Sequence, residues 1–375
     1  MNHNVVRPGQ TIGILGGGQL GRMMAVAARH MGYRIAVMDP TEDCPCSHVA
    51  DEHIVAAYDD VEAAKRLSKI SDVITYEFEN VDLEVARLFE ADGKLPQGAY
   101  SLEVTQNRSK EKQVAVDTGL SVPDYAIVHT YEEAVQALST IGFPAVIKTI
   151  SGGYDGKGQL KLEHEDVLEQ AESFIKEGGT YIVEAWLAFD LEISQVFTRS
   201  LDGDISYFPI GENIHKNHIL HETRVPARVS ESVREKAQAA VRALADKMGI
   251  VGTFAVEMFV KDEEVYINEM APRPHNSGHY TIEACSVSQF EQHVRAICGL
   301  PLLPVHSFPA AVMINILGKH QGILIDKIEQ YRGFHLHDYG KKEARQNRKM
   351  GHLTFIGNNL DEIDERIVEN QIHLW

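Results

Sequence analysis

The sequence predicts a multidomain protein of mixed α/β and α+β class. The chain has 375 residues, enough for two or three domains that each bury an apolar core. Its N-terminal part alternates short apolar strands with helical patterns, as a parallel sheet requires. Its remainder contains segments of alternating polarity joined by tight turns, which is typical of antiparallel strands. We place the units at residues 1–105, 106–187 and 188–375.

The first unit begins with an apolar strand, Thr11 to Leu15, which is followed by a glycine turn, a helix and a second strand, Arg34 to Met38. Helical patterns at Glu62 to Lys69 and Leu83 to Ala91 flank a third strand at Val73 to Thr75. We therefore expect a small parallel sheet with helices, Rossmann-like in its connections.

The second unit is expected to form a compact lid. Its predicted elements are a helix after Asn107, a strand at Tyr125 to Val128, a helix at Tyr131 to Ile141, a strand at Ala145 to Lys148, a helix at Asp166 to Lys176 and a strand at Tyr181 to Glu184. A glycine-rich loop, residues 151–159, lies within this unit. Because strands flank the loop, we expect it to close over a ligand.

The third unit is predicted to contain antiparallel strands and one long helix. Its predicted elements are a hairpin at Glu192 to Pro209, a helix at Glu231 to Met248, strands at Thr253 to Val260, Glu264 to Met270 and Ala310 to Ile316, and a helix at Asp361 to Gln371. The strands Thr253 to Val260 and Glu264 to Met270 surround a charged turn. If they pair, Glu257 and Glu269 lie on neighbouring strands.

The charge and cysteine content exclude several classes of protein. An excess of acidic residues gives a net charge of −18 at pH 7, which would repel nucleic acids and anionic membranes. A small phosphorylated substrate needs only a few basic side chains and is compatible with this charge. Four unevenly placed cysteines indicate reduced thiols, and no segment has a leader pattern or the ~20 apolar residues of a membrane span. We expect a cytoplasmic protein.

The first glycine motif is Gly16-x-Gly18-x-x-Gly21, which stands between a predicted strand and a predicted helix. This is the setting of the dinucleotide fingerprint, and Asp39 ends the next strand, where a ribose partner would lie. Glycines let the backbone approach phosphate oxygens, and the helix N-terminus offers unpaired N–H groups. Alone, the motif favours a dehydrogenase, while another phosphate ligand and a structural turn that binds nothing are the alternatives.

The second glycine motif, residues 151–159, is not a Walker A sequence, because Lys157 is followed by Gly158 and Gln159 instead of Ser or Thr. Backbone N–H groups and a nearby lysine can still enclose a triphosphate, and closure of the loop would exclude water. The alternative is a flexible hairpin without a ligand.

Glu257 and Glu269 form the strongest chemical pair in the sequence. Facing carboxylates with Asn268 beside them suit Mg²⁺, which prefers oxygen ligands, whereas two solvated strand carboxylates are the structural alternative. The segment that follows, residues 271–279, is dense in donors and rigid turns, and this favours a site. The remaining histidines, including His215, His218 and His221, have no regular metal spacing backed by carboxylates, so we expect most of them to be surface or core residues and predict no metal cluster among them.

Taken together, these parts resemble the ATP-grasp superfamily over nearly the whole chain, and within it the branch that carboxylates 5-aminoimidazole ribonucleotide in purine biosynthesis. The resemblance is carried by residues 16–23, 75–80, 154–159, 268–273 and 348–352. It implies an ATP-grasp fold with an N-terminal Rossmann-like pre-ATP-grasp domain, a lid, a core and a small C-terminal extension. ATP would lie between two sheets.

The resemblance also implies the ligands of Mg-ATP. The implied nucleotide-binding residues are Arg108, Lys148, Gly153, Tyr154, Gly156, Gly158, Gln159, Glu184, Ala185, Trp186, Leu187, Glu192, His215, Asn268 and Glu269. Glu257 and Glu269 would hold Mg²⁺.

The implied reaction transfers carboxylate to an amine. ATP phosphorylates bicarbonate to carboxyphosphate, and the exocyclic amine of the ribonucleotide then takes up the carboxylate, giving a carbamate, ADP and phosphate. Asp155, Lys157 and Arg273 are the expected catalytic residues, with Asp155 as the group that orients or deprotonates the amine. The expected substrate-binding residues are Gly18, Gln19, Leu20, Glu77, His275, Asn276, Lys342, Arg345, Arg348 and Lys349. A homodimer is also implied.

Three alternatives stay open. A formate-dependent glycinamide ribonucleotide transformylase of the same superfamily shares the fold, but we associate that enzyme with an acidic residue at the position of Asn276. A regulatory protein that binds ATP without turnover is disfavoured by the intact candidate residues in the glycine loop and at the carboxylate pair. An NAD-binding Rossmann protein would require tight NAD binding that depends on Gly18.

Overall fold

The computed structural model of the protein describes residues 5–152 and 158–375. The N-terminal part forms a four-stranded parallel sheet in the order β3-β2-β1-β4, as predicted. The elements of this part, with two helices that lead to the next sheet, are β1 (Thr11–Leu15), α1 (Gln19–His30), β2 (Arg34–Met38), β3 (Glu52–Ile54), α2 (Val61–Ile70), β4 (Val73–Tyr76), α3 (Leu83–Ala91), α4 (Tyr100–Thr105) and α5 (Arg108–Asp117).

The turn between β1 and α1 requires glycine. Gly16 has a φ of +103°, a backbone conformation that residues with a side chain rarely adopt. A Cβ on Gly21 would lie 2.6 Å from the carbonyl oxygen of Gly16, so the helix packs this closely against the turn only because no side chain intervenes. The N-terminus of α1 consequently lies at the carboxyl edge of the sheet, where α/β proteins bind ligands.

The second sheet, which we call the lid sheet, has four antiparallel strands in the order β5-β8-β6-β7. The elements of the lid are β5 (Tyr125–Val128), α6 (Tyr131–Ile141), β6 (Ala145–Thr149), β7 (Gln159–Leu162), α7 (Glu169–Phe174) and β8 (Tyr181–Ala185). Leu138 of α6 belongs to the same buried cluster as Ile147 and Val183 of the sheet. Helix α7 is shorter than the sequence predicts, because a 3₁₀ turn at Glu165–Val167 precedes it.

The third sheet, the large sheet, has nine strands. Eight follow the path β14-β13-β9-β11-β12-β15-β17-β16, and β10 pairs with β9. The remaining elements are β9 (Leu191–Arg199), β10 (Ile205–Tyr207), β11 (Gly211–Lys216), β12 (Ile219–Val225), α8 (Glu231–Met248), β13 (Gly252–Lys261), β14 (Glu264–Ala271), α9 (Thr281–Ala284), α10 (Gln289–Ile297), β15 (Ala310–Leu317), α11 (Gly318–Lys327), β16 (His335–Asp338), β17 (Lys349–Gly357) and α12 (Leu360–Glu369). Val241 and Leu244 of α8 share a buried cluster with Phe254 of β13.

Helix α10 joins the first sheet to the large sheet. Its Phe290 belongs to the same buried cluster as Met24 of α1. His293 adds polar contacts, because its Nδ1 accepts a hydrogen bond from the backbone N–H of Thr253 at 3.0 Å and its Nε2 lies 2.8 Å from Oγ1 of Thr75. The N-terminal part is therefore packed onto the large sheet through apolar and polar contacts.

The C-terminal strands are part of the large sheet. β15 pairs with β12 on one side and with β17 on the other. Leu324 of α11 and Ile363 of α12 belong to the buried cluster that covers these strands. The basic run at residues 341–348 forms the loop between β16 and β17. Among the helices in the described part of the chain, none is both long and apolar enough to cross a membrane.

Two sequence predictions that bear on the site are confirmed. β13 and β14 form a hairpin, and Glu257 lies directly opposite Glu269 in its register. Helix α8 spans the predicted residues, Glu231–Met248. The four cysteines are free thiols, which agrees with the predicted absence of a disulfide framework.

Candidate active site

A cavity of about 640 Å³ lies between the lid sheet and the large sheet. Predicted site residues that line it are Arg108, Lys148, Gln159, Glu184, Ala185, Trp186, Leu187, Glu192, His215, Glu257, Asn268, Glu269, Arg273, His275, Asn276 and Lys349. The structure thus brings together residues that are separated by up to 241 positions in the sequence. Such convergence of charged groups in one cavity is typical of an active site.

Other predicted residues lie elsewhere or are not described. Gly18, Gln19, Leu20 and Glu77 lie at or beside the N-terminus of α1, away from this cavity. Lys342, Arg345 and Arg348 are exposed in the loop between β16 and β17. Gly158 precedes β7 and does not line the cavity. The predictions for Gly153, Tyr154, Asp155, Gly156 and Lys157 fall outside the described residues.

One end of the cavity, which we call the carboxylate end, holds Glu192, Glu257 and Glu269. Burial raises the pKa of Glu257 from its ordinary value of 4.5 to about 8, and the carboxylates of Glu192 and Glu269 add to this effect. His275 lies 3.7 Å from Glu257. A group of carboxylates that disfavour each other's charge is stabilised by a divalent cation, and its oxygen donors are those that Mg²⁺ prefers. The residues therefore fit a magnesium ion.

Glu111 supports the carboxylate end from behind, and the sequence did not indicate it. This residue of α5 is buried, and its carboxylate accepts a hydrogen bond of 2.6 Å from the backbone N–H of Met270. Burial, together with the nearby Glu269, raises the pKa of Glu111. Because Met270 follows Glu269 directly, Glu111 fixes the strand that carries Glu269.

A second cluster in the cavity, which we call the lysine end, is built around Glu184. Nζ of Lys148 lies 2.7 Å from one carboxylate oxygen of Glu184, and Nζ of Lys112 lies 3.8 Å from the other. Burial disfavours the charged form of Glu184, but the two ammonium groups outweigh it and lower the pKa to about 2. Lys112 is itself buried and also donates to the carbonyl oxygens of Ile267 and Asn268. Sequence analysis did not find Lys112.

Apolar side chains form the walls near the lysine end. Val146 and Leu187 come from the lid and the segment that follows it, while Phe259 and Met270 come from the β13–β14 hairpin. Phe189 stacks on Phe259 with ring centroids 4.5 Å apart. Apolar walls of this kind suit a purine base. Leu187 was implied by the family resemblance, whereas nothing in the sequence distinguished Val146 and Phe259 from core residues.

His215 and Glu192 form an ion pair at the edge of the cavity. Nδ1 of His215 lies 3.0 Å from a carboxylate oxygen of Glu192. Burial lowers the pKa of His215, but the carboxylates of Glu192 and Glu257 outweigh it, so the net pKa is raised. The two carboxylates therefore favour the charged form of the imidazole, which lies at the edge of the cavity.

Arg273 is held in place by Glu79, which also lines the cavity. Nε and Nη2 of Arg273 each lie 2.6 Å from the same oxygen of Glu79. Burial alone would raise the pKa of Glu79, but Arg273 lowers it. Glu79 belongs to the segment that carries the family resemblance, although sequence analysis gave it no role. Its position predicts that it fixes the orientation of the guanidinium.

Asn276 is fixed by a second amide. Nδ2 of Asn276 donates to Oδ1 of Asn315 at 3.0 Å, and Nδ2 of Asn315 donates to Oδ1 of Asn276 at 2.7 Å. Asn315 also donates to the carbonyl oxygen of Leu220. The buried Asn315 on β15 therefore sets which face of the Asn276 amide points into the cavity.

The first glycine turn already has an anionic partner. A carboxylate oxygen of Glu77 accepts a 2.6 Å hydrogen bond from the backbone N–H of Gly21. Burial raises the pKa of Glu77 to about 7, although hydrogen bonds from the backbone N–H groups of Gly21 and Gly18 lower it. Asp39 is also occupied, since it accepts from the N–H of Gly17 and from the hydroxyl of Tyr58. The dehydrogenase interpretation is therefore wrong at this turn. Protein carboxylates already accept from the N–H groups of Gly17 and Gly21, which a dinucleotide phosphate would need.

The fold and the cavity define an ATP-grasp enzyme, in which two sheets enclose a nucleotide site. Residues 9–106 match the model of the ribonucleotide synthetase preATP-grasp domain, residues 113–290 the ATP-grasp domain, and residues 311–366 the phosphoribosylaminoimidazole carboxylase C-terminal domain. The N5-carboxyaminoimidazole ribonucleotide synthase of Bacillus subtilis is 48% identical over 363 residues, which cover 96% of this chain and 95% of that protein. The chain therefore belongs to the N5-carboxyaminoimidazole ribonucleotide synthase family.

Solved structures agree with this membership. The ADP complex of an N5-carboxyaminoimidazole ribonucleotide synthetase superposes with a TM-score of 0.96 at 48% identity, covering 99% of this chain and 98% of that one. The Aspergillus clavatus synthase in complex with ADP and 5-aminoimidazole ribonucleotide gives a TM-score of 0.89 at 28% identity, covering 96% of each chain. The predicted ATP-grasp fold and family are confirmed.

Proposed function

We propose that this protein carboxylates 5-aminoimidazole ribonucleotide with bicarbonate, coupled to conversion of ATP into ADP and phosphate, in purine biosynthesis. Family membership over nearly the whole chain is the observation that carries this proposal. The cavity adds independent support, because it combines apolar walls, basic side chains and paired carboxylates.

The nucleotide would lie in the cavity with its base against the apolar walls and its phosphates towards Lys148 and the carboxylate end. The base fits between Val146 and Phe259, beside the backbone of residues 184–187. The ribose would face Glu192, and the phosphates would contact Arg108 and Lys148. The Lys148 ammonium is already held by a carboxylate, so little side-chain freedom is lost when phosphate binds.

Magnesium would be held by Glu257 and Glu269, with Asn268 beside them. When bound, the ion supplies positive charge to the phosphoryl group that is transferred. The cross-strand register supports this assignment, because it places both carboxylates side by side in the cavity wall. Glu111 would keep β14 in position behind them.

The chemistry consists of two transfers. A bicarbonate oxygen attacks the γ-phosphorus of ATP, which releases ADP and forms carboxyphosphate. The amine nitrogen of the ribonucleotide then bonds to the carboxyl carbon, phosphate leaves, and the amine loses a proton. Arg273 would bind the bicarbonate and the carboxyphosphate, oriented by Glu79. Asp155 as base and Lys157 as a source of positive charge complete the proposal, although both lie outside the described residues.

The ribonucleotide would bind between the N-terminal sheet and the basic loop of residues 341–349. Lys349 lines the cavity at the start of β17. Asp43 of the N-terminal part has its pKa lowered by His48 and, more weakly, by Lys342, so the basic loop faces this part of the chain. His275 and Asn276 would contact the reacting end of the substrate, while Lys342, Arg345 and Arg348 are the proposed phosphate ligands, and Gly18, Gln19, Leu20 and Glu77 the opposite wall.

The domain bounds at residues 1–105, 106–187 and 188–375 belong to the same proposal, supported by the separate sheets and the order of the family matches. We also propose a homodimer in the cytoplasm, in line with the acidic net charge of −18 and the free thiols. Nucleic acids and membranes are not expected partners.

The deciding experiment follows labelled bicarbonate and ADP together. With Mg-ATP and 5-aminoimidazole ribonucleotide, we expect one ADP per acid-labile labelled carbamate, and little ADP when bicarbonate is removed. ADP formation with glycinamide ribonucleotide and formate, and none with the proposed substrates, would replace the assignment by the transformylase.

A further inference from the structure

A group of histidines in which His279 and His352 are buried and His337 is partly exposed is not used by the proposed reaction. His337 of β16 and His352 of β17 are cross-strand partners, and their rings stack with centroids 4.5 Å apart and planes at 12°. Nε2 of His337 lies 2.5 Å from Oε1 of Glu283 on α9. One ligand atom from each of these three residues lies within 4.8 Å of the others.

Three polar atoms in this group are buried without a hydrogen-bond partner. They are Oε2 of Glu283, Nε2 of His352 and Nε2 of the neighbouring His279, whose ring centroid lies 4.8 Å from that of His352. His279 is 1% exposed and His352 is fully buried. An unpartnered buried polar atom costs about 1–3 kcal/mol, so three such atoms in one group indicate a bound species that satisfies them.

The protonation of His279 follows from its surroundings. Gln289 accepts from the backbone N–H of His275 through Oε1 and donates to the carbonyl oxygen of His275 through Nε2, so the orientation of its amide is fixed. The same Nε2 lies 3.3 Å from Nδ1 of His279, which must therefore accept. The proton of neutral His279 is consequently on Nε2, which makes this atom a donor without an acceptor.

Nδ1 of His352 lies 3.0 Å from the hydroxyl of Tyr339, so its second nitrogen is the one without a partner. If Nδ1 carries the proton and donates to Tyr339, Nε2 presents a lone pair. Burial holds the pKa of His352 well below its usual range, and the neighbouring His279 and His337 contribute to this. A neutral imidazole with a hydrogen bond on its other nitrogen is the usual state of a metal-binding histidine.

We propose that Glu283, His337 and His352 bind a divalent transition metal such as Zn²⁺. Two imidazole nitrogens and one carboxylate oxygen are a common zinc ligand set, with water in the fourth position. The N–H of His279 would donate to that water or to the free oxygen of Glu283. Binding would replace the hydrogen bond between His337 and Glu283 with bonds to the metal.

This site is chemically different from the proposed magnesium site. The carboxylate end offers mainly oxygen donors, which suit Mg²⁺, whereas nitrogen donors favour zinc, nickel and copper. The metal would tie α9 to β16 and β17, which carry the basic loop between them. Its expected effect is therefore to order that loop.

The test measures metal content and cobalt spectra in protein without a histidine tag. After growth with added zinc and gel filtration in metal-free buffer, elemental analysis should find about one zinc per chain, as a three-residue site predicts. Titration of the chelator-treated protein with Co²⁺ should give the intense visible absorption of tetrahedral cobalt. In Glu283→Gln and His337→Gln the Co²⁺ affinity should fall by more than about 100-fold, because even loss of an outer-shell partner costs ~10–100-fold.

Two controls locate the signal. His306→Asn, at an exposed histidine, should leave the cobalt spectrum unchanged. Glu269→Gln should also keep it, because that residue belongs to the other site. Circular dichroism and Tm in chelator must show that each variant is folded. An absence of metal binding at micromolar protein, a spectrum that persists in both ligand variants, or one that disappears in Glu269→Gln would each overturn the proposal.

Discussion

The carboxylate end and the lysine end of the same cavity shift the pKa of a buried glutamate in opposite directions. Burial raises the pKa of any carboxyl group, so the neighbours decide the outcome. Glu257 faces other carboxylates, and its pKa rises to about 8. Glu184 lies between Lys112 and Lys148, and its pKa falls to about 2.

The two ends also differ in how far their charges are balanced before a ligand binds. At the lysine end the Glu184 carboxylate is paired with two ammonium groups, so this cluster is assembled before a ligand arrives. At the carboxylate end three carboxylates lie together and His215 pairs with Glu192, and a cation that accompanies the nucleotide would supply further positive charge to Glu257 and Glu269. Nucleotide binding should therefore change the carboxylate end more than the lysine end.

The largest expected effect is on the reaction itself. Glu269→Gln should lower kcat/KM at least about a hundredfold, because a metal ion contributes several kcal/mol of transition-state stabilisation. ADP release with 5-aminoimidazole ribonucleotide, measured over a range of Mg²⁺ concentrations, checks this. Glu264→Gln, an exposed residue on the same strand, is the matched control and should change the rate less than about twofold. Full turnover by Glu269→Gln would remove the metal assignment.

The next effect is on stability at the lysine end. Glu184→Gln leaves two buried ammonium groups without their carboxylate and should destabilise the protein by about 3–5 kcal/mol. Urea unfolding measures the free energy. Glu103→Gln is the control, because Glu103 pairs with Lys110 and Arg87 at the surface and should lose less than about 1 kcal/mol. Equal losses in the two variants would mean that burial does not set the strength of these pairs.

The two ends should also respond to pH with opposite signs. Because the folded-state pKa of Glu257 is raised, its contribution is fully present below its ordinary pKa of 4.5 and is lost as the pH rises towards about 8. Without Mg²⁺, the free energy of unfolding of the wild type should therefore fall by on the order of 2 kcal/mol relative to that of Glu257→Gln as the pH rises through this window. This figure is smaller than the pKa shift alone would give, because solvent screens the charge. Unfolding at several pH values measures the difference, which saturating Mg²⁺ should abolish.

For Glu184 the folded-state pKa is lowered, so its contribution is present above 4.5 and is lost as the pH falls towards 2. The advantage of wild type over Glu184→Gln should accordingly shrink in acid. If the stability difference between wild type and Glu257→Gln changed with pH in the same direction as that between wild type and Glu184→Gln, the comparison between the two ends would be contradicted.

The smallest effect concerns Asn315, which belongs to neither the carboxylate end nor the lysine end. Asn315→Ala frees the amide of Asn276 to rotate and should lower kcat/KM for the ribonucleotide about tenfold, while KM for ATP stays unchanged. If Asn315 acts only by positioning Asn276, the double variant with Asn276→Ala should be no slower than Asn276→Ala alone. Additive losses would give Asn315 a separate role.

Local patterns predicted the parts of the fold that depend on local sequence. The glycine turn at Gly16 and the pairing of Glu257 with Glu269 follow from a positive φ and from alternation around a charged turn. The hairpin β11–β12 and strand β17 were not predicted. β11 pairs with β9, and β12 and β17 both pair with β15, so these strands depend on segments elsewhere in the chain. Polar and glycine residues in these strands mask their buried position.

The same limit applies to the site. Glu111 and Lys112 are charged residues in a helix with little amphipathic pattern, so the sequence indicates exposure, whereas the structure buries both. Asn315 and the apolar wall at Phe259 are recognisable only once the sheets face each other. Among the residues named by motif, Lys148, Glu257 and Glu269 line the cavity, whereas residues such as Lys112 that act through the partners they meet in space were not predicted.

The position of β15 in the large sheet has a consequence during synthesis. β12 is made about eighty residues before β15, its neighbour in the sheet. At a ribosome speed of ~5–20 residues per second, the edge of β12 stays unpaired for several seconds. An open edge strand can pair with other chains, so a nascent chain of this protein needs dilution or a chaperone until β15 emerges.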